Sequence, residues 1–338
     1  MTIRSRLARH PRATRRPTRA APILAAAAAI LALAGPARAA RLAFVINSND
    51  ASISVLDVDT RRELRRIPML REPHHMALTP DHRSLAIGDT NGNTLFLLDP
   101  RTGDIQRQVT MSDPYQVEYS PDGSVLTVTG LARNQIDIYD AKTLALLHRI
   151  PASAMPSHIN YSPDSSRVFV SLQQTDSLTA IDTRTGAVLW TSKVGHVPAG
   201  VLWHDNELLV GLMGEGEVAA VDPANGHVLR LVPTGRGAHV MFVPPDRSVI
   251  YATNRVDGTI SVLDPKTLAV TRTLHVPGGP DDIDFAPDGK LWATLRWRQA
   301  VAVIDPVSGS VETIPVGRSP HGIWLNTHDT LPVAVSAK

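Results

Sequence analysis

A run of apolar residues that ends in aspartate and then turns occurs seven times along this chain: Val55-Leu56-Asp57, Leu97-Leu98-Asp99, Ile138-Tyr139-Asp140, Ala180-Ile181-Asp182, Ala220-Val221-Asp222, Val262-Leu263-Asp264 and Val303-Ile304-Asp305. The aspartates follow one another at intervals of 42, 41, 42, 40, 42 and 41 residues. Self-similarity at a fixed period of this size is the signature of a repeat architecture. It also directs the search for function to the places where the repeats differ.

Within each repeat four short runs have strand character. In the fifth they are His239–Val243, Val249–Thr253, Thr259–Leu263 and Val270–Leu274, rich in β-branched residues. Turn chemistry separates them: Pro244-Pro245-Asp246-Arg247-Ser248, then Asp257-Gly258, then Asp264-Pro265-Lys266-Thr267. Four antiparallel strands per repeat without helices predict an all-β, seven-bladed β-propeller. With strands lettered A to D from the axis outward, the first mature run, Leu42 to Ile46, is of type B and the last, Gly322 to Leu325, is of type A. Closure is therefore expected to pair the C-terminal A strand with N-terminal B, C and D strands, sealing an edge that would otherwise be exposed. The tail 327–338 has no assigned place, though Leu331 to Val335 could extend the closing blade.

Residues 1–39 stand outside the repeat. Seven arginines from Arg4 to Arg19 precede an apolar segment, Ala20 to Ala34, and Ala37-Arg38-Ala39 fits a small-x-small cleavage site. This predicts a signal peptide cut after Ala39, a domain at 40–338 and a periplasmic location. The segment is shorter than the ~20 residues of a membrane span, and none is expected in the mature chain. Arg15-Arg16 is a twin arginine, but Pro17-Thr18-Arg19 follows where a Tat signal would be apolar, so Sec is the default. Eight of the 34 bases lie in this leader, which leaves 26 against 32 acids, a charge of −6. Nucleic acid is therefore not an expected partner. The chain has no cysteine, which excludes disulfides, thiol catalysis and Fe–S clusters. A closed ring has no edge that demands a dimer, so a monomer is expected.

Val249-Ile250-Tyr251-Ala252-Thr253-Asn254 followed by Gly258 to Asp264 resembles the YVTN repeat of YncE-like bacterial surface and periplasmic propellers. Pro320-His321-Gly322-Ile323 and Phe285-Ala286-Pro287-Asp288-Gly289-Lys290 are similar to its other half. The resemblance covers residues 41 to about 326 and implies architecture rather than activity. WD40 is a poorer match, lacking Trp-Asp after strand C. The heme d1-carrying propellers are similar in repeat style, without ligand positions that carry over residue by residue.

In a propeller the A–B and C–D connections share one face, and the D–A and B–C connections share the other. The first face repeats itself in Pro-Asp-Gly-like and Asp-Pro-like turns and reads as structure. The second varies from blade to blade, as sites on rigid frames do. At the start of the A strands, alignment on the first apolar residue gives the row His75, Gln116, His158, Gly200, His239, Asp282, Gly322. One residue earlier stand His74, Tyr115, Ser157, Ala199, Ala238, Asp281 and His321. His75, His158 and His239, on alternate blades, are thus expected at one depth in the channel, with Asp282 on the same ring and His74 and His321 close by. Three imidazoles and a carboxylate form a ligand set for a divalent transition metal such as Zn, Cu or Ni. The same ring could contact a small anionic ligand, and Pro-His-x also suits strand entry for structural reasons alone. Arg255, Arg296 and Trp297 on B–C loops of the same face suit a carboxylate, phosphate or peptide.

No Gly-x-Ser-x-Gly elbow, Walker or Rossmann signature is present. The expectation is an exported, non-catalytic binding or scaffold protein that uses the channel mouth and variable loops to hold a small ligand or a periplasmic protein. A metal- or tetrapyrrole-handling accessory protein is the alternative, and a metal-dependent lyase or lactonase the third reading.

Overall fold

The computed structural model describes residues 41–152 and 155–327. The leader expected at 1–39 and the tail from 328 onward lie outside the described residues. Seven four-stranded antiparallel sheets, each in the order A-B-C-D, form a seven-bladed β-propeller. Helical structure among the described residues is confined to the short turns Ser48–Asp50 and Gln173–Thr175. No described helix is long and apolar enough to cross a membrane.

Closure follows the expected pattern. The seventh blade joins Pro320–Leu325 as strand A to Leu42–Asn47, Ser52–Asp57 and Arg62–Pro68. Val45 pairs with Ile323 and Ala43 with Leu325. Asn326 N–H adds a bond to Leu42 O at 2.7 Å, and Gly317 N–H donates to Asn47 Oδ1 at 2.9 Å.

Each blade buries both faces of its B and C strands. Ile250–Asn254 and Thr259–Leu263 are buried throughout, whereas the outermost Val270–His275 is exposed except at Leu274. Sheets covered on both sides read as near-continuous apolar runs, the pattern these strands show. The core is divided among the blade interfaces. Tyr251, Ile260 and Leu274 of the fifth blade pack on Ile283, Leu291 and Ala293 of the sixth. Val45 and Leu56 of the seventh pack on Trp292 and Val303 of the sixth.

The repeated aspartates shape the C–D turns. Asp264 Oδ1 accepts the Lys266 and Thr267 N–H groups at 3.0 and 2.7 Å and the Thr267 hydroxyl at 2.9 Å. Asp140 and Asp182 hold their turns the same way. They are structural, on the face away from the histidines.

One irregularity recurs at the start of the A strands. Pro73 pairs with Asp89 but Met76 pairs with Ile87, so His74 and His75 together oppose the single residue Gly88. The same one-residue shift occurs in the third to seventh blades. A β-bulge of this kind re-aims side chains and is common beside functional sites. Here it puts two consecutive residues of one strand at the channel mouth.

The strand-B residue facing the bulge meets the next blade's backbone. Thr129 and Thr294 hydroxyls donate to Ser157 O at 2.7 Å and His321 O at 2.6 Å. At Gly211 a Cβ would lie 2.3 Å from His239 O and 2.9 Å from its carbonyl carbon. Gly211→Ala is therefore expected to push the fourth and fifth blades apart at the mouth and to cost about 1–3 kcal/mol, the range of overpacked cores. Urea unfolding checks this; an unchanged midpoint would contradict the close approach.

Candidate functional site

The bulges stack two levels of residues around the channel. The outer level holds His74, Tyr115, Ser157, Ala199, His239, Asp281 and His321; the inner holds His75, Gln116, His158, Gly200, Val240, Asp282 and Gly322. This corrects the expected ring at one position. Ala238 pairs with Asn254 and Met241 with Ala252, so His239 belongs with Asp281 and His321 rather than with His75 and His158. Alignment on the first apolar residue fails there because Val240 takes the inner-level place and Met241 is the first core residue.

The histidines converge. His74 and His321 rings are 4.0 Å apart, His75 and His321 4.5 Å, His75 and His158 5.4 Å, and His158 and His239 4.9 Å between centroids. Tyr115 stacks on His74 at 4.0 Å. None of the five histidines is more than 7% exposed. Burial pushes His74, His158 and His321 well below the ordinary imidazole range, His75 down to about 3 and His239 to about 4. All five are neutral near pH 7, the state that ligates metal.

The backbone selects a tautomer. His75 Nδ1 lies 3.0 Å from Tyr115 O, which can only accept, and 3.0 Å from His74 Nδ1. The Tyr115 carbonyl therefore holds the His75 proton on Nδ1. The Nε2 of His75 then presents a lone pair, and that atom is buried without a partner. His158 Nε2 and His321 Nε2 are likewise buried and unpartnered. Most buried polar atoms are satisfied, so several orphans in one place need an explanation.

Asp281, fully buried, anchors the other side. Its Oδ1 accepts Arg255 Nε–H at 2.6 Å and also touches Arg255 Nη2, and its Oδ2 accepts Arg296 Nη1–H at 3.3 Å. His239 Nδ1 and His321 Nδ1 approach the carboxylate to 2.9 and 3.2 Å. Burial alone would raise the Asp281 pKa, but Arg255, then His239 and Arg296, hold it well below the carboxylate range. Burial and the neighbouring Asp281 charge drive Asp282 well above that range.

Two groups of donors therefore gather among the described residues: His74, His75 and His321, and His239, Asp281 and Asp282. In each, one ligand atom per residue lies within 4.8 Å of the others. The expected quartet of His75, His158, His239 and Asp282 does not gather as one set: His239 sits one level out from His75 and His158, and Asp282 gathers with His239 and Asp281 instead. The groups are unequal. At the second, two guanidinium groups already neutralise Asp281 and would repel a cation. The same guanidinium groups act on the first through space rather than by a bond to one of its residues, and Asp281 stands 3.2 Å from His321 Nδ1, as carboxylates do behind metal-bound imidazoles.

Arg255 and Arg296 turn inward onto Asp281, with side chains 17% and 23% exposed. Trp297 stays at the rim, 60% exposed, packed over Gly279, where a Cβ would come within 2.7 Å of its ring. Asp281 is the residue whose role sequence reasoning missed. The available signal was an acid in the row that also holds His74 and His321, flanked by two arginine-bearing B–C loops. Two cavities, of about 460 and 730 Å³, open on the other face, at A–B turns such as Pro80 and Pro121, and Pro244 and Pro287.

Comparison with known proteins places this chain in a family. The Uncharacterized protein YncE of Salmonella typhimurium and that of Salmonella typhi are each 22% identical over 247 residues, 67% of this chain and 69% of theirs. Among solved structures, a functionally unknown protein from Desulfotomaculum acetoxidans has TM-score 0.73 at 16% identity, covering 85% of this chain and 99% of that one. Dihydro-heme d1 dehydrogenase NirN in complex with DHE has TM-score 0.65 at 18% identity, covering 86% of this chain and 76% of its own. Kuenenia stuttgartiensis hydrazine synthase has TM-score 0.62 at 17% identity, covering 80% and 94%. These structural likenesses are likenesses of fold. A family model for YNCE-like beta-propellers matches residues 15–331, and the chain belongs to that family.

Proposed function

We propose that this propeller is an exported, non-catalytic binding protein of the bacterial periplasm, and that its channel mouth holds a divalent transition metal ion through His74, His75 and His321. The observation that carries the reading is the buried, neutral, partnerless imidazole nitrogen at the meeting point of the first and seventh blades. His75 Nε2 is preset as an acceptor by the Tyr115 carbonyl, and His321 stands between that point and Asp281. Imidazole nitrogen without thiolate suits Zn, Cu or Ni.

A tetrapyrrole is the second reading, because a similar fold belongs to NirN in complex with DHE. The imidazoles are packed ring against ring and at most 7% exposed, which favours a single ion over a macrocycle.

Elemental analysis after dialysis against Zn²⁺, Cu²⁺ or Ni²⁺ tests this. Wild type is expected to retain a stoichiometric ion, and His75→Ala or His321→Ala to weaken retention by about 10–100-fold or more, at least the loss seen for outer-shell changes at metal sites. His158→Ala is expected to retain the ion. Metal-free wild type, or retention unaffected by either ligand change, would sink the proposal. An absorption band in the visible from protein purified out of its own periplasm would favour the tetrapyrrole.

A further inference from the structure

We infer that the ion at His74, His75 and His321 is taken together with a small carboxylate co-ligand, which Arg255 and Arg296 receive at the channel mouth. The inference rests on the metal-binding reading above and specifies what completes that site.

Charge makes the first argument. Three neutral imidazoles leave a divalent ion its full charge. Arg255 and Arg296 add two positive charges beside it, against Asp281 and Asp282. Even with both carboxylates ionised the mouth carries a net charge of about +2, and adding Glu72, which interacts electrostatically with Arg296, leaves about +1. A buried site with uncompensated charge is costly unless an anion enters with the cation.

Coordination makes the second. Three protein nitrogens leave at least one position open on an ion that takes four or more ligands. The third argument is the arginines' unused capacity. Arg296 gives Asp281 one bond through Nη1, and Arg255 gives it Nε–H and an Nη2 contact. Each guanidinium has five N–H donors in a planar fork that matches a carboxylate. Both are partly exposed, while the imidazoles beneath them are not. A slender diacid could thus bond the ion with one end and meet the guanidinium groups with the other.

Equilibrium dialysis with labelled malonate, with and without Zn²⁺, tests the inference. Wild type is expected to retain malonate only when Zn²⁺ is present. Arg296→Gln is expected to lose malonate retention by about tenfold, the loss of a charge-assisted bond pair, while still binding Zn²⁺. Should that variant fail to fold, Arg296→Lys keeps the charge beside Asp281 but lacks the planar fork, and it too should lose malonate. The inference is overturned if malonate draws Zn²⁺ off wild type without being retained, or if Zn²⁺ binds and malonate is held equally by wild type and both variants. Failure of the underlying metal reading looks different: wild type then retains no Zn²⁺ even without malonate.

Discussion

Metal-free protein is expected to lose stability as the pH falls below about 6.5, the range in which an unfolded imidazole gains its proton. The five buried histidines stay neutral in the folded chain, His75 down to about 3 and His239 to about 4, because burial penalises the charged form. Between those values and the unfolded one the unfolded state binds more protons, so acidification favours unfolding. Their contribution is fully present above about pH 6.5 and is lost below it, at about 1.4 kcal/mol per pH unit for each.

Five carboxyls act in the opposite sense. Burial raises Glu118 to about 7, Asp284 to about 6 and Asp282 well above the ordinary range, and it raises Glu72 and Asp113 as well, so the folded state takes their protons first. They offset part of the histidine contribution, so stability is expected to fall between about pH 6.5 and 5 less steeply than five imidazoles alone would make it. Urea midpoints at a series of pH values check it. A flat profile would mean that the histidines are hydrated in solution.

Asp281→Ala is expected to destabilise the fold by about 3–5 kcal/mol, the cost of removing one partner from a buried charge cluster. Arg255 and Arg296 would be left beside each other, and His239 and His321 would lose the group that orients them. Asp282→Ala provides the contrast. The neutral His321 ring lies 3.9 Å away through Nδ1, and the carboxyl is held neutral by burial and Asp281, so a loss below about 1 kcal/mol is expected. Denaturant unfolding of both variants tests the asymmetry. Equal losses would show that the tandem acids share the arginines.

The propeller was legible because every blade obeys the same local rules. The turn aspartates, the β-branched B and C strands and the mismatched first and last runs fixed seven blades and their closure. The histidine cluster was legible in composition but not in register. A bulge adds a residue to the A strands, and periodicity cannot reveal a bulge when an apolar side chain such as Val240 occupies the channel side. His239 was consequently placed one position off. The arginine–aspartate cluster was harder to foresee. Arg255 comes from a loop of the fifth blade and Arg296 and Asp281 from a loop and a strand of the sixth, and only packing shows whether a loop arginine faces water or a buried acid. His321 meets His74 and His75 only because the ring closes, which joins strands from opposite ends of the propeller sequence.

The central claim is that the imidazoles of the first and seventh blades form one metal site. Anomalous diffraction from crystals soaked in equimolar Zn²⁺ tests it most directly. The predicted result is a single strong peak between His74, His75 and His321, absent in His321→Ala. A peak at His239, Asp281 and Asp282 instead, or none at the channel mouth, would contradict it.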